Sequence, residues 1–370
     1  MNCSLKRDVD VAVVGGGPGG AATALQLVRG GVSVALIEQS AYGNIRVGET
    51  LPPEIRTTLR GLGIWDQFLR EAHNPSSGVR YAWGQPDISE SDFIFNPYGV
   101  GWHIDRSRFD AMLAHRAEQA GVCVYTSAKC RADWEGIRGG WEVSCASADK
   151  QFLFRTRFLV DATGRRSVVA RKRGALRISF DRLVGIVVLL RGTVANSPDD
   201  CTLVEAVEDG WWYSASVPGS RHVVAYMTDA DLFVRGSDGA DRFWRQQLQK
   251  TIHTRALIDS YPREFGPFIV AANSSRLNRF SDGNWLAVGD AAFAFDPLSS
   301  QGVYRALESG IRAAQVVRSY FGGARTALRS YSGEMEESFD HYLLLRNKYY
   351  GLERRWPQSI FWRRRWAGRQ

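Results

Sequence analysis

The 370-residue sequence predicts an α/β fold in which a parallel-sheet domain is interrupted by an inserted antiparallel sheet and followed by a helical tail. Three features predict it: a strand–helix–strand pattern near the N-terminus, consecutive short apolar segments between residues 183 and 228, and a tail rich in arginine and tryptophan. The chain is 44% hydrophobic and 23% charged, which excludes a disordered or fibrous protein.

The first element is a strand–helix–strand unit of about 30 residues, the usual size of such a unit. Residues 8–14 form an apolar strand of the kind that is buried on both faces of a parallel sheet. A glycine-rich turn follows over 15–20, and residues 21–29 are helical and end at a glycine pair. Residues 32–37 form a second apolar strand that ends at Glu38.

The remaining elements alternate along the chain. Helices are predicted over 53–71 (with a break near Gly61), 105–120, 241–261 and 302–320. Strands are predicted over 122–126, 134–143, 151–159, 183–192, 201–207, 210–217, 222–228 and 284–288.

The N-terminal turn fits the pattern Gly-x-Gly-x-x-Gly at Gly15, Gly17 and Gly20. The first glycine permits a tight turn, the second lets the backbone approach a pyrophosphate, and the third lets helix and strand pack closely. The following helix N-terminus supplies amide donors and partial positive charge. Glu38 is placed to accept hydrogen bonds from ribose hydroxyls and to repel a 2′-phosphate, so the motif predicts a dinucleotide other than NADP. The alternative is a glycine loop that serves only as a turn.

A second glycine-led turn decides between NAD and FAD. A buried strand over 284–288 precedes Gly289-Asp290, and Asp296-Pro297 precedes a helix that starts at Gly302. The Asp290 carboxylate can hold a ribityl chain, and the helix can direct its amides at the pyrimidine edge of a flavin. The alternative for Asp290 is a helix cap. Together the two turns predict a Rossmann-like FAD-binding domain.

The order of these segments predicts three regions. The FAD-binding domain is discontinuous and covers 1–80, 101–175 and 276–335. An antiparallel β-sheet substrate domain covers 81–100 and 176–275, and a helical C-terminal segment that is basic and aromatic covers 336–370.

The motif set resembles the FAD-dependent monooxygenase superfamily, which has the glutathione-reductase-type fold, and within it the tryptophan-halogenase-like and geranylgeranyl-reductase-like branch. The residues that carry the resemblance are Gly15–Gly20, Glu38, Arg46–Thr50, Arg106 with Phe109 and Asp110, Asp161–Gly164, and Gly289–Gly302. Two features depart from halogenases: Tyr213–Pro218 stands where they carry Trp-x-Trp-x-Ile-Pro, and residues 47–128 contain no lysine.

A closer resemblance is to flavoproteins that hydroxylate a tryptophan inside another polypeptide during maturation of cysteine tryptophylquinone oxidases. It is carried by residues 209–215, 225–229 and 353–365. The resemblance implies that an electron-rich aromatic ring is hydroxylated through a flavin C4a-hydroperoxide, with O₂ as co-substrate. Electrons come either from NAD(P)H directly or from a separate reductase. Both sources stay open because Thr163 stands where the fingerprint of single-component enzymes has an aspartate.

The resemblance and the motifs together assign candidate roles. Glu49 and Asp296 are the catalytic candidates for proton transfer, with capping of loop amides as the alternative. Substrate-pocket candidates are Trp211, Tyr213 and His222, with strand packing or a structural histidine as the alternative. The predicted cofactor-binding residues are Gly15, Gly17, Gly20, Glu38, Arg46, Gly48, Thr50, Arg106, Asp290, Pro297, Gln301, Gly302 and Val303.

Charge and cysteine content limit the partners. The net charge is +8, and residues 351–370 carry six arginines against Glu353. This segment is interpreted either as a docking element for an acidic peptide or protein substrate or as a helix packed on the chain itself. No nucleic-acid motif accompanies it, and no apolar run approaches the roughly 20 residues of a membrane span.

Five cysteines without Cys-x-x-Cys spacing predict no metal site and a reducing, cytoplasmic location. The alternatives to a protein-directed hydroxylase are a small-molecule aromatic hydroxylase, a halogenase-like enzyme, a polyprenyl reductase, or a non-enzymatic flavin-binding assembly partner.

Overall fold

The computed structural model describes residues 5–135, 139–147, 150–192, 200–233 and 239–367. Its helices are α1 (Pro18–Arg29), α2 (Ile55–Gly61), α3 (Trp65–Arg70), α4 (Arg106–Gln119), α5 (Val168–Lys172), α6 (Gly239–Leu248), α7 (His253–Ile258), α8 (Gly302–Phe321), α9 (Ala327–Tyr350) and α10 (Ile360–Ala367). Among these described residues, no helix is long and apolar enough to cross a bilayer.

The first half of the chain contributes strands β1 (Leu5–Val14), β2 (Val34–Ile37), β3 (Thr50–Leu51), β4 (Asn74–Ser76), β5 (Gly78–Ala82), β6 (Ser89–Asp92), β7 (Gly101–His103), β8 (Cys123–Tyr125), β9 (Lys129–Glu135), β10 (Gly140–Ser147) and β11 (Lys150–Asp161). The second half contributes β12 (Arg177–Ser179), β13 (Leu183–Arg191), β14 (Thr202–Val207), β15 (Gly210–Val217), β16 (Arg221–Asp229), β17 (Arg263–Ala271), β18 (Ser275–Leu277), β19 (Ser281–Asp282), β20 (Trp285–Ala287) and β21 (Phe293–Ala294).

A parallel sheet forms the first layer, with β20, β11, β1, β2 and β8 side by side. The central strand β1 is fully buried from Val11 to Val13, because helices cover the sheet as they do in parallel sheets generally. Helices α1 and α8 pack together closely, since a Cβ at Gly310 would overlap the carbonyl oxygen of Gly19. This contact brings the N-terminal ends of two distant helices to one place.

A second sheet, in the order β17-β13-β16-β15-β14-β5-β6, forms the other layer. Its pairs are antiparallel except for β14 with β5. Successive side chains enter different cores: Trp211 packs with Phe361 and Trp362 of α10, whereas Trp212 packs with Trp244 of α6. Both faces of this sheet are therefore apolar. For that reason the sequence shows no alternation of apolar and polar residues along its strands.

The C-terminal segment packs on this second sheet. Arg365 binds both oxygens of the Asp229 carboxylate, with Nη2 at 2.8 Å from Oδ1, and Arg364 binds Asp229 and Asp231. Arg355 pairs with the fully buried Glu353. Three arginines of this segment, Arg355, Arg364 and Arg365, thus bind carboxylates of the same chain.

The predicted α/β fold class, with its inserted antiparallel sheet and C-terminal helices, is confirmed. The second sheet takes its strands from 78–92 and 183–271, and the break near Gly61 separates α2 from α3. The proposed boundary at 336 falls inside α9, so the tail begins in a helix that also packs on the parallel-sheet domain through Tyr331 and Phe339.

Two predicted elements are wrong. The helix predicted over 241–261 is two helices, because the Glu205 carboxylate accepts hydrogen bonds from the backbone N–H groups of Ile252 and Thr254 and starts α7 there. The strand predicted over 134–143 is the end of β9 and the start of β10, and Gly139, directly before β10, has φ +64°. Residues 136–138 lie outside the described residues.

Candidate functional site

A cavity of about 750 Å³ lies between the parallel and antiparallel sheets. Its walls are the glycine-rich turn before α1, the segment 46–50, the turn and helix start at 289–303, and the inner face of the antiparallel sheet. The predicted residues that line it are Gly15, Gly17, Gly20, Glu38, Arg46, Gly48, Glu49, Thr50, Arg106, Tyr213, Asp290, Asp296, Pro297, Gly302 and Val303.

The N-terminal glycine turn has the form that a dinucleotide requires. Gly15 has φ +110°, and a Cβ there would overlap the carbonyl oxygen of Ala162, while one at Gly20 would overlap the carbonyl oxygen of Gly15. Gly17 differs, because no heavy atom lies within 4 Å of its Cβ position. The backbone thus leaves no room for a side chain at Gly15 or Gly20. At Gly17 the space beside the backbone is empty, so a pyrophosphate could approach it there.

The second glycine-led turn converges on the first. A Cβ on Gly19 would lie 3.1 Å from the carbonyl oxygen of Ala306 and 3.5 Å from the amide nitrogen of Gly289. Helix α8 starts at Gly302, where the Cβ position has no heavy atom within 4 Å. Asp290 is partly exposed beside the cavity, 3.5 Å from Nε of Arg165. Two helix N-termini and a carboxylate therefore border one cavity, an arrangement that fits the phosphates and ribityl chain of FAD.

Glu38 and Arg46 form the wall next to the first turn. One Glu38 oxygen accepts from the backbone N–H of Gly16 at 2.8 Å, and the other accepts from the Ser40 hydroxyl and from Arg46. Arg46 also binds the fully buried Asp110, with 2.6 Å between Nη1 and Oδ2. These hydrogen bonds connect the end of β2 to α4. The Glu38 carboxylate lies beside the glycine-rich turn, where the ribose of a bound dinucleotide would contact it.

Arg106 supports the segment 46–50. Its Nη1 donates to the carbonyl oxygen of Val47 at 2.7 Å, and its guanidinium lies against Asp110. Gly48 has φ +100°, and a Cβ there would lie 2.7 Å from Nη1. Arg106 lines the cavity, but these hydrogen bonds show that it also positions the backbone that carries Glu49.

Glu49 is buried in the cavity wall with 5% of its surface exposed. Burial raises the pKa of Glu49 to about 7, while nearby backbone N–H groups and Arg106 pull it back toward its usual value. A carboxyl group that titrates near neutrality can both give and take a proton, so it can do acid–base work at the cavity.

Asp296 makes a different set of contacts. One oxygen caps the turn after it by accepting from the Leu298 N–H at 2.9 Å, and the other accepts from the Tyr350 hydroxyl at 2.7 Å and faces Arg346. Burial raises the pKa of Asp296, with Arg346 acting against that rise. These contacts make Asp296 a link between α9 and the cavity.

The antiparallel sheet supplies an apolar wall. The side chains that line it are Val187, Tyr213, Val223, Ala225, Met227 and Val270. The phenol oxygen of Tyr213 lies 2.6 Å from Oγ1 of Thr50. Of this wall, the sequence alone singled out only Tyr213. The strand registers identify the others: Tyr213 lies opposite Ala225, which lies opposite Val187, and Val270 is on the next strand, β17.

Three predicted residues do not line the cavity. Trp211 is buried beside α10 and donates to the Tyr350 hydroxyl at 3.0 Å. His222 lies on the opposite face of the sheet, where Nε2 pairs with the Ser214 hydroxyl at 2.7 Å and the ring stacks on Tyr261. Gln301 precedes α8 and accepts from Arg305 at 3.2 Å. The structure corrects the substrate-pocket assignment of Trp211 and His222, because strand alternation turns His222 away and α10 covers Trp211.

One end of the cavity was missed by the sequence analysis. Ala128, Lys129 and Cys130 line it near Glu38. They come from the start of β9, a strand outside the strand–helix–strand unit, so no motif marked them.

The fold and the two converging turns define a flavin-binding α/β protein. A family model described as "FAD binding domain" matches residues 8–336, and the chain belongs to that family. Within it, the chain is an FAD-dependent oxidoreductase of the monooxygenase superfamily, in its halogenase-like branch.

Similar proteins include both oxidoreductases and halogenases. The chain is 28% identical over 365 residues to "Putative FAD-dependent oxidoreductase LodB" of Marinomonas mediterranea, covering 97% of each chain. It is 23% identical to "Tryptophan 2-halogenase" of Chondromyces crocatus, covering 97% of this chain and 70% of the other.

Two solved structures share the fold. CmlS, a flavin-dependent halogenase, superposes with a TM-score of 0.87 at 25% identity over 97% of this chain and 67% of that one. The peptidyl tryptophan dihydroxylase QhpG, essential for tryptophylquinone cofactor biogenesis, superposes with a TM-score of 0.79 at 24% identity over 98% of this chain and 80% of that one.

Proposed function

We propose that this protein is an FAD-dependent monooxygenase that hydroxylates an aromatic side chain. The proposed substrate is a tryptophan within a peptide or protein, and its hydroxylation is a step in converting that tryptophan to a quinone cofactor. The observation that carries the proposal is that one cavity is lined by the titratable Glu49 and by a sheet wall of Tyr213, Val187, Ala225 and Met227. Such a wall suits a flat apolar ring that carries one polar group.

The sequence favours hydroxylation over halogenation. Residues 47–128 contain no lysine, whereas the halogenases that the chain resembles use one after the Gly-Glu segment to capture hypohalous acid. Neither tryptophan of the halogenase signature is present at 213–218. Similarity to QhpG supports a peptide-bound tryptophan as the substrate class.

Each part of the cavity has a role in this proposal. Gly17 and the N-termini of α1 and α8 would hold FAD, which supplies the chemistry that reduces O₂ and delivers one oxygen atom. Glu49 takes or returns the proton that the ring loses. The apolar sheet excludes water, and Asp296 holds the turn at 297–299 against the cofactor side. Electrons come from NAD(P)H or a separate reductase.

The proposal is tested by mass spectrometry of a substrate polypeptide encoded beside this protein. We expect a mass increase of one or two oxygen atoms on a tryptophan after incubation with the FAD-loaded protein, a reductant and O₂. The label should follow ¹⁸O₂ and be lost without O₂. An unchanged polypeptide mass, with flavin oxidation intact, would contradict the proposal.

The second candidate is a halogenase or hydroxylase of small molecules. The tryptophan 2-halogenase and CmlS favour it through their overall likeness to this chain. Free indoles and phenols, incubated with chloride or bromide, discriminate the two. Halogenated or hydroxylated free product, together with an unmodified polypeptide, would establish the second candidate.

A further inference from the structure

Strand β17 forms one edge of the antiparallel sheet, and within the described residues it pairs with β13 alone. Its last four residues, 268–271, are all apolar and include no proline. Ile269 is 43% exposed, and Ala271 is exposed as well. Edge strands usually carry charged residues or prolines that prevent another strand from pairing with them. This segment carries neither, so its outer edge is open to a further strand.

Two hydrogen bonds fix which residues of β13 bond to which neighbouring strand. On one side, the N–H of Ala272, directly after β17, donates to the carbonyl oxygen of Leu183 at 3.0 Å. On the other side, the N–H of Ala230, directly after β16, donates to the carbonyl oxygen of Arg182 at 2.9 Å. Antiparallel neighbours exchange hydrogen bonds at every second residue. The odd-numbered residues at the start of β13 therefore bond toward β17, and the even-numbered ones bond toward β16.

This alternation shows which backbone groups of β17 point outward. The register places Val270 opposite Gly185, an odd-numbered residue, so Val270 exchanges hydrogen bonds with β13. Ile269 and Ala271 lie opposite even-numbered residues of β13. Their N–H and C=O groups therefore point away from the sheet, where an added strand would meet them.

The outward edge of β17 borders the cavity. Val270, Ala271 and Ala272 all line it. Val270 lies in one row with Gly185 and Met227, and Met227 also lines the cavity. Residues directly opposite each other on neighbouring strands point to the same face of a sheet. A residue of an added strand that lies opposite Val270 would therefore face the cavity.

We propose that residues 268–271 bind an extended segment of the polypeptide substrate as an added strand and direct the substrate tryptophan, opposite Val270, into the cavity. Main-chain hydrogen bonds to Ile269 and Ala271 hold the segment, and the cavity selects the one side chain that enters it. The inference rests on the proposed function and names how its substrate is bound. A polypeptide is favoured over a second copy of this chain, because a second copy on this edge would cover the rim of the cavity.

Hydrogen exchange at single-residue resolution tests the added strand in the wild-type chain. The probe is the tryptophan-containing polypeptide encoded beside this protein, mixed with the FAD-loaded protein without reductant. In the protein alone, the amide of Val270 should exchange slowly and those of Ile269 and Ala271 quickly. We expect the amides of Ile269 and Ala271 to exchange at least about tenfold more slowly in the complex, because each gains an acceptor.

A proline on the edge tests the same hydrogen bonds by affinity. Ile269→Pro removes one outward N–H, and proline is tolerated at such a position of an edge strand. The variant should bind the polypeptide about five- to tenfold more weakly, the value of one hydrogen bond. Calorimetry measures the dissociation constants, and FAD content with the midpoint of urea unfolding shows whether the variant is folded.

Glu90→Pro is the matched control on β6, the opposite edge of the same sheet. The N–H of Phe93 donates to the carbonyl oxygen of Ser77, so alternation points the N–H of Glu90 outward as well. Glu90 does not line the described cavity, and Glu90→Pro should bind the polypeptide as tightly as the wild type does.

The outcomes separate the inference from the proposed function. Unchanged exchange of Ile269 and Ala271 in a complex that forms, or wild-type affinity of a folded Ile269→Pro, would overturn the added strand and leave hydroxylation standing. Protection of both amides that grows with protein concentration before the polypeptide is added would place a second copy on the edge and would also overturn it. Absence of any complex would overturn the docking. Protection of both amides by a polypeptide that never gains oxygen would support the docking and overturn the proposed function.

Discussion

Glu49 shows how burial can raise the pKa of a single side chain even where nearby N–H groups and an arginine act to lower it. The segment 46–50 is held by Arg106, and the carboxyl lies in a wall with little water. The resulting pKa of about 7 for Glu49 means that the folded protein binds a proton that the unfolded chain, with a value of 4.5, has already lost. The sequence could place Glu49 in a loop near the flavin ring, but the proton affinity of Glu49 depends on how the folded chain packs around it.

Replacing Glu49 should change the pH dependence of stability. Between about pH 4.5 and 7 the folded state binds more protons than the unfolded state, so the wild type loses up to about 3 kcal/mol as pH rises through this window. Glu49→Gln should not show this loss. Urea unfolding of the FAD-free protein at pH 5 and pH 8 measures it, and parallel pH profiles for the two proteins would contradict the assignment.

At the scale of elements, the two glycine-led turns have unequal constraints. Gly15 needs φ +110° and has no room for a Cβ, whereas Gly17 has ordinary extended angles and open space before it. One glycine is thus required by the fold, and the other keeps the cavity clear. The shared motif hides this difference in sequence.

Substitution at these two positions should separate folding from cofactor binding. Gly15→Ala should destabilise the protein by about 1 to 3 kcal/mol through backbone strain. The overlap of the new Cβ with the carbonyl oxygen of Ala162 should add to this loss. Gly17→Val should leave the midpoint of urea unfolding unchanged in the FAD-free protein but weaken FAD binding at least about tenfold. Flavin fluorescence titration checks this, and wild-type affinity in Gly17→Val would show that FAD does not approach there.

The start of α7 illustrates a contact between elements that no local pattern reveals. Glu205 on β14 accepts from the Ile252 and Thr254 N–H groups and the Thr254 hydroxyl, at about 47 residues' distance along the chain. Helical periodicity continued through this region, so the sequence predicted one helix. The long-range cap interrupts it.

Removing that cap should cost about 1 to 3 kcal/mol, because buried N–H groups lose their acceptor. Glu205→Ala is compared with Glu208→Ala, an exposed glutamate after the same strand. Urea unfolding should show the loss only for Glu205→Ala. Equal stabilities would indicate that the helix start does not depend on this carboxylate.

At the scale of the whole molecule, the C-terminal segment joins the two layers. Helix α10 buries Phe361 and Trp362 against the antiparallel sheet. The hydroxyl of Tyr350, at the end of α9, reaches Asp296 beside the cavity. The basic composition of the tail thus serves internal ion pairs as well as the surface, and its docking to a peptide or protein stays a prediction.

Arg365 and Arg363 test how much this packing contributes. Arg365→Met should destabilise the protein by about 1 to 3 kcal/mol, because the buried Asp229 loses one of its two arginine partners and keeps only Arg364. Arg363→Met, at an exposed position two residues away, should change stability by no more than about 0.5 kcal/mol. Urea unfolding compares the two, and equal effects would contradict a structural role for the tail.

The sequence by itself determined the α/β class, the two glycine-led turns and the flavin, because local constraints such as a positive φ or a helix N-terminus leave a mark on neighbouring residues. It also placed Tyr213 and Glu49 near the site. Only the tertiary structure decided which strand faces meet the cavity, because both faces of the antiparallel sheet are apolar and alternation carries no signal. His222 was misplaced for that reason, whereas Trp211 lies on the same face as Tyr213 and is covered by α10. The contact between the hydroxyls of Tyr213 and Thr50, 163 residues apart in sequence, likewise exists only in the folded chain.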